Sequence, residues 1–295
     1  VSQSPVTMSI LLFLLWVSTI TNLIPCAAIL LDDANVAHTF DGVGALSAGA
    51  SSRLLWDYPD EAREEILDIL FKPRYGASLQ MLKLEIGGDT QSTDGTEASY
   101  AHHREDRDCS RGYETWLTRE AKKRNPSILT WGLSWGIPGW VGNGSFFSKD
   151  DVQYQVDWVQ CMQQQTNATM DFLGVWNERP WGTVDYIHDL RTALNEAGLR
   201  DTHIVMLDGE LDADFVATAN GNPAFRDDFY GVGLHYPCDV PSQDVQRWGK
   251  RYWSSEDAST AADWPGAGCW GRMLTQNYVR MNMTMSIVWS LIWSA

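Results

Sequence analysis

The chain has 295 residues, 44% of them hydrophobic, enough for one large domain or two small ones with an ample core. Its formal charge of −16 and pI near 4.6 repel phosphate backbones, which argues against a nucleic-acid partner. Such a surface suits an acidic compartment. The fifteen Trp read mainly as core, with a minority on a surface where flat sugar faces stack on indoles.

In chain order, the first element is the apolar stretch Met8–Ile24, whose run Ile10–Val17 has the character of a signal-peptide h-region. Cys26-Ala27-Ala28 offers a cleavage site, so residues 1–28 are read as a signal peptide, although no Lys or Arg precedes Arg53. An uncleaved anchor or a misassigned start codon are the competing readings; no second stretch is long and apolar enough to span a bilayer. Three sequons fit a secretory route, with acceptors Asn143, Asn167 and Asn282. With Cys26 removed, Cys109, Cys161, Cys238 and Cys269 remain, and four cysteines allow three full pairings between which sequence does not choose. Their spacing matches no zinc motif.

Eight short apolar runs follow: Phe40–Ser47, Leu79–Ile86, Ile128–Trp135, Phe172–Glu178, His203–Asp208, Phe229–Tyr236, Arg251–Glu256 and Met285–Trp293. Most are continuously apolar instead of alternating, as expected of parallel strands covered on both faces. Helical patterns fill several gaps. Asp60 is a candidate cap for a helix carrying Ala62, Ile66, Leu67 and Leu70 at helical spacing. A second helix is expected over Val184–Ala197, with Gly198 as its C-terminal cap. Arg111–Arg124, Asp150–Gln165 and Gly268–Met281 are further candidates. Strands and helices alternating across roughly 250 residues predict an α/β fold, a (β/α)8 TIM barrel, with the chemistry at the carboxyl ends of the strands. The rival, an open doubly wound sheet, lacks the Gly-rich phosphate fingerprint after its first strand.

That rule singles out two carboxylates. The fourth run ends in Asn177-Glu178-Arg179-Pro180 and the seventh in Glu256-Asp257. A second Asn-Glu pair, Asn195-Glu196, falls inside a predicted helix and reads as a solvated face. Retaining glycosidases need two carboxyl groups about 5–5.5 Å apart, one to protonate the leaving oxygen and one to attack the anomeric carbon. Glu178 and Glu256 are the candidates for acid/base and nucleophile. Alternatively, Glu256 caps the next helix or pairs with Arg179. Switching of the pair calls for pKa values driven apart by mutual repulsion and burial. No metal or organic cofactor is required.

Several motifs, in order from residue 40 to the C-terminus, make the reading more specific: Phe40-Asp41-Gly42-Val43-Gly44-Ala45, Glu85-Ile86-Gly87-Gly88-Asp89, Thr93-Asp94-Gly95-Thr96-Glu97, Pro138-Gly139-Trp140, Trp176-Asn177-Glu178-Arg179-Pro180, Trp253-Ser254-Ser255-Glu256-Asp257 and Gly266-Ala267-Gly268-Cys269-Trp270. With these, the chain resembles glycoside hydrolase family 59. The resemblance implies a catalytic barrel over 40–295. It implies a retaining β-galactosidase acting on galactosylceramide and related galactosyl lipids in the lysosome, with a saposin-type lipid-presenting partner. It assigns Glu178 as acid/base and Glu256 as nucleophile. It places Asn177 at the sugar 2-hydroxyl, Thr93, Trp135 and Trp289 around galactose, Ser259 at a nearby polar position and His235 lining the site. The alternatives are another retaining glycosidase of this barrel type or an inactive, truncated carbohydrate-binding product.

The family pattern continues beyond Ala295 into a β-sandwich and a lectin-like domain. Those parts would supply an arginine on galactose and a cysteine partner for Cys269, and residues 29–39 would join the sandwich. The expectation is a fragment with an exposed apolar flank, less stable than the whole enzyme and weakly active or inactive. Smaller departures are Ser47-Ala48-Gly49, where the family loop is richer in glycine, and Ala258, where it is often aromatic.

Overall fold

A computed structural model of the protein describes residues 37–49, 51–93, 95–237, 243–259 and 261–292. The expected signal segment at 1–28 and most of the 29–39 segment lie outside them, as does Cys238. Eight parallel strands close into a barrel in sequence order: β1 (Gly42–Ser47), β2 (Met81–Ile86), β3 (Leu129–Ser134), β4 (Phe172–Trp176), β5 (His203–Gly209), β6 (Gly231–His235), β7 (Arg251–Asp257) and β8 (Met285–Trp289). β8 returns to β1, pairing Gly42 with Met285 through Leu46 with Trp289. The rival open sheet is thereby excluded. Each strand matches one apolar run of the sequence, six of them trimmed at an end and β5 and β7 each one residue longer.

The continuous apolar runs have the cause expected of them, burial on both faces. All six residues of β2 are buried, Lys83 and Glu85 included. Leu46, Met81, Trp131, Phe172, Val205, Trp253, Met285 and Ile287 form a cluster separate from the main hydrophobic core. Trp131 and Trp253 meet with ring centroids 5.7 Å apart, and Phe172 packs edge-on to Trp253 at 4.9 Å. Gly233 makes room for them, because a Cβ there would lie 2.7 Å from Ser255 and 3.0 Å from the Trp131 ring. Much of the tryptophan content is thus spent on packing.

Most outer helices start where a side chain satisfies an otherwise orphaned N–H. Ser148 caps Lys149–Thr166 through the Asp151 amide, and Thr183 caps Val184–Glu196 through that of Tyr186. Gly198, at φ +79°, follows the latter helix, and the Leu199 amide closes on Leu194 O at 2.8 Å. Asp60 is not a cap. It is the first residue of Asp60–Phe71, Pro59 stands at the cap position with no side-chain bond, and the acidic first turn faces the positive end of the dipole instead. The expected Gly268–Met281 helix begins earlier, at Trp264, because Asp263 caps it through the Gly266 amide with Pro265 in the first turn. The Arg111–Arg124 helix begins later, at Glu114. A disulfide joins Cys109 to Cys161, selecting one of the possible pairs; Cys269 is free among the described residues.

Candidate active site

The site is assembled at the carboxyl ends of the strands. β4 ends at Trp176, and the chain turns so that the Asn177 amide donates to Ser134 O at 2.9 Å and the Glu178 amide to Asp208 O at 2.8 Å. These bonds tie the turn to β3 and β5. Irregularities of register fall nearby, between Leu207 and Gly209 on β5, beside His235 on β6, and between Ser254 and Asp257 on β7. Such bulges re-aim side chains next to functional sites. Glu178, Asp208 and Tyr236 all hold positive φ, at 50°, 91° and 42°. Backbone of that kind costs on the order of 1–3 kcal/mol per residue and clusters where function demands it.

The two glutamates converge. One carboxylate oxygen each from Glu178 and Glu256 and a ring nitrogen of His235 lie within 4.8 Å of one another. Glu256 is buried, and its Oε1 accepts a 2.5 Å hydrogen bond from the Tyr236 hydroxyl. It neither caps a helix nor pairs with Arg179, whose guanidinium reaches the Glu178 carbonyl instead. The Glu178 side chain is half exposed and shares a 3.0 Å hydrogen bond with His235 Nδ1. A groove of about 990 Å³ runs from Glu178, His235 and Tyr236 past Pro180, Trp181 and Leu211.

Beneath the pair lies a buried cluster of charge. Lys83 Nζ donates to both Asp208 oxygens at 2.8 Å and to Ser255 O at 3.1 Å, and stands 4.8 Å above the Trp131 ring. His235 Nε2 is 3.1 Å from Asp208 Oδ1, close enough for an ion pair but poorly aligned for a hydrogen bond. Burial alone would push Asp208 up, but Lys83 and then His235 outweigh it and hold the carboxyl at about 2. Burial likewise opposes a charged His235, yet Asp208 and then Glu178 raise the imidazole to about 9. The hydrogen bond from His235 holds Glu178 below the ordinary carboxylate range, ahead of the opposing effect of burial. This corrects the expectation that repulsion and burial set the pair apart: the half-exposed acid is governed by the cation beside it.

The other predicted site residues occupy the same end of the barrel. Trp135 follows β3, half-buried, 5.8 Å from Lys83 Nζ, and Trp289 ends β8, half-buried. Asn177 precedes Glu178, and its Oδ1 is buried with no protein partner. Thr93 is exposed on the loop after β2, and the Ser259 hydroxyl donates to Gly266 O at 3.3 Å. His235, Glu178 and Glu256 are in mutual reach; Thr93, Trp135, Ser259 and Trp289 stand further around the rim. Asn143, Asn167 and Asn282 are all exposed. Sequence reasoning passed over Lys83, Asp208 and Tyr236. Asp208 and Tyr236 end apolar runs as Glu178 and Glu256 do, and Lys83 is a charged residue inside a run otherwise read as fully buried.

Comparison with known proteins fits this geometry. The profile of glycosyl hydrolase family 59 matches residues 40–295. The chain belongs to that family. Galactocerebrosidase from Homo sapiens is 44% identical over 276 residues, 92% of this chain and 40% of the relative. Galactocerebrosidase from Danio rerio is 44% identical over 266 residues, 88% of this chain and 40% of that one. This family 59 chain therefore spans about 40% of the length of those relatives. Two solved structures share the barrel. SrfJ from Salmonella typhimurium has a TM-score of 0.71 at 15% identity, over 87% of this chain and 66% of its own. The catalytic domain of the family 30 xylanase C from Talaromyces cellulolyticus has a TM-score of 0.65 at 16% identity, over 87% and 69%. Among the described residues no helix is long and apolar enough to cross a membrane.

Proposed function

We propose that the protein is a retaining β-galactosidase that hydrolyses galactosylceramide and related galactosyl lipids, with Glu256 as nucleophile and Glu178 as acid/base. The observation that carries this reading is the approach of the two carboxylates within 4.8 Å at the ends of β4 and β7. That spacing suits direct attack on the sugar and is too short for the intervening water that an inverting pair requires. Membership of family 59 and the galactocerebrosidase relatives supply the substrate class.

The residues suggest their own division of labour. Buried Glu256, steadied by Tyr236, attacks the anomeric carbon while Glu178 gives its proton to the departing glycosidic oxygen. Glu178 then takes a proton from water, whose oxygen bonds to the anomeric carbon and releases Glu256. Asn177 Oδ1, buried without a protein partner, is proposed to accept from the sugar 2-hydroxyl, a contact that strengthens in the transition state. Thr93, Trp135, Trp289 and Ser259 are proposed to frame galactose, with His235 holding Glu178. A lysosomal location reached by the secretory pathway, glycosylation at Asn143, Asn167 and Asn282, and delivery of lipid by a saposin-type protein complete the proposal.

The test is hydrolysis of galactosyl and glucosyl lipids with the product anomer followed by NMR. Release of β-galactose first, faster than glucose, with turnover lost in Glu256→Gln, is expected. First release of the α-anomer, or near-normal turnover in Glu256→Gln, would refute the assignment. A preference for glucosyl lipid would keep the mechanism and change the substrate.

A further inference from the structure

The Lys83 and Asp208 side chains are both fully buried, and neither residue lines the groove. A fully buried lysine is costly unless its charge is used or matched. Here it is matched by Asp208, and Asp208 is in turn shared with His235, which reaches Glu178 at 3.0 Å and lies 3.7 Å from Glu256. Lys83 comes from β2, Asp208 from β5 and His235 from β6, so three strands converge beneath the two glutamates.

We infer that Lys83 and Asp208 are positioning residues acting through His235, and that the three together carry one fixed positive charge that keeps one, and only one, of Glu178 and Glu256 ionised at each stage of turnover. This rests on the glycosidase reading above and deepens it. At rest the two glutamates share one proton and one negative charge, which balances the cluster, and the form that reacts has the charge on Glu256 and the proton on Glu178. Attack converts Glu256 into a neutral ester, while the Glu178 proton leaves with the aglycone oxygen. Glu178 is now the single carboxylate, and balance is kept. Water then returns a proton to Glu178 and restores Glu256. A neutral His235, or a missing Lys83, would leave one negative charge too many in a largely buried site.

Two further groups face His235. Tyr236 is a neutral donor whose hydroxyl is held above its ordinary value by burial and by Glu256. Asp257 on β7 accepts from Ser254 and Asn277, and burial raises its carboxyl. Lys83 lowers the proton affinity of Glu178 from a distance, the direction needed once Glu256 is esterified and Glu178 is the single carboxylate.

The experiment is a charge cycle in the whole protein: Lys83→Met, Asp208→Asn, the double variant, and Lys83→Arg. Lys83→Met removes the fixed positive charge, so both limbs of the pH profile of kcat/KM should move up by about one pH unit. Asp208→Asn should move them down. The double variant has the wild-type count and should return towards the wild-type profile, as should Lys83→Arg. A structural role would not make two displacements cancel, and removing a buried ion pair as a unit is better tolerated than breaking it. The His235 ring is titrated in parallel by nitrogen NMR, which needs no turnover. A Lys83→Met profile superimposed on wild type in a folded protein, or a double variant displaced as far as Lys83→Met, would overturn the inference. If no glycoside is hydrolysed even by wild type, the enzyme reading has failed separately and the ring titration decides. A ring charged at pH 7 whose titration falls in Asp208→Asn upholds the electrostatic role; a ring neutral at pH 7 in wild type refutes it.

Discussion

Lys83 and Glu85 lie two residues apart on β2, on the same face of one strand, and each begins a buried charged cluster of opposite design. Around Lys83 every charge has a partner: Asp208 below the catalytic pair, then His235, then Glu178. Around Glu85 there are only more carboxylates. Glu85 accepts from the Ser92 hydroxyl and the Gly49 amide, Glu97 from the amides of Tyr113 and Glu114, and Glu114 from the Ser47 hydroxyl. None of the three makes an ion pair among the described residues. Gly112, at φ +87°, leaves room for Glu97, whose Oε1 would lie 2.0 Å from a Cβ there. Burial pushes Glu85 up to about 7 and Glu97 to about 8, and with help from Glu97 it raises Glu114 well above the ordinary carboxylate range. The difference teaches that buried charge is held in two ways here: by a counter-ion where a fixed charge is needed, and by a proton where it is not.

The largest effect that sharpens the comparison is on stability. Asp208→Asn strands Lys83 and should cost about 3–5 kcal/mol in chemical denaturation, whereas Lys83→Met with Asp208→Asn should cost far less. Equal losses in the single and double variants would show that the pair is not a unit.

The second effect is the pH dependence of stability. Glu85 and Glu97 have folded-state pKa values above their unfolded ones, so the folded protein binds the extra protons. Their contribution is complete below about 4.5 and is lost as pH rises through about 7 to 8, on the order of 3 kcal/mol for Glu85 alone. The balanced cluster behaves differently. Asp208 stabilises above its unfolded value near 3.8 and His235 below its own near 6.5, so between those values the cluster is nearly flat. Melting curves should therefore decline from pH 5 towards pH 7, and Glu85→Gln should flatten that decline. A wild-type protein equally stable at pH 5 and 7 would contradict the carboxylate account. Stability greater at pH 5 than at pH 7 is the direction that the proposed lysosomal location calls for.

The smallest effect is local. Tyr236→Phe removes one hydrogen bond to a charged group, worth about 1.5–3 kcal/mol. It should lower kcat/KM about 10- to 100-fold, with little change in melting temperature. A large fall in stability instead would assign Tyr236 to packing.

These contrasts also mark what was legible beforehand. The barrel was, because a parallel strand covered on both faces has to be written in apolar residues almost without a break, and eight such runs survive translation into strands. Glu178 and Glu256 were, because a carboxylate that ends an apolar strand is conspicuous in a fold whose chemistry sits there. Lys83 was not: a single charged residue inside Met81–Ile86 declares its meaning only through Asp208, 125 residues away. Glu97 and Glu114 carry no pattern, since one sits in a loop and the other opens a helix. The Cys109–Cys161 bond belongs to one of the three full pairings of four cysteines, which spacing alone leaves equivalent. The direction of the Glu178 shift was misjudged because His235 was read as a wall of the site and not as its neighbouring cation.

The central claim is that Glu256 forms a covalent bond to the sugar. The most direct measurement is to treat the protein with a 2-deoxy-2-fluoro-β-galactoside bearing a good leaving group and to locate the added mass by peptide mass spectrometry. The account predicts one fluorogalactosyl group, on the peptide containing Glu256 and on that side chain. A label on another residue, or no label from a protein that turns over galactoside with retention, would contradict it.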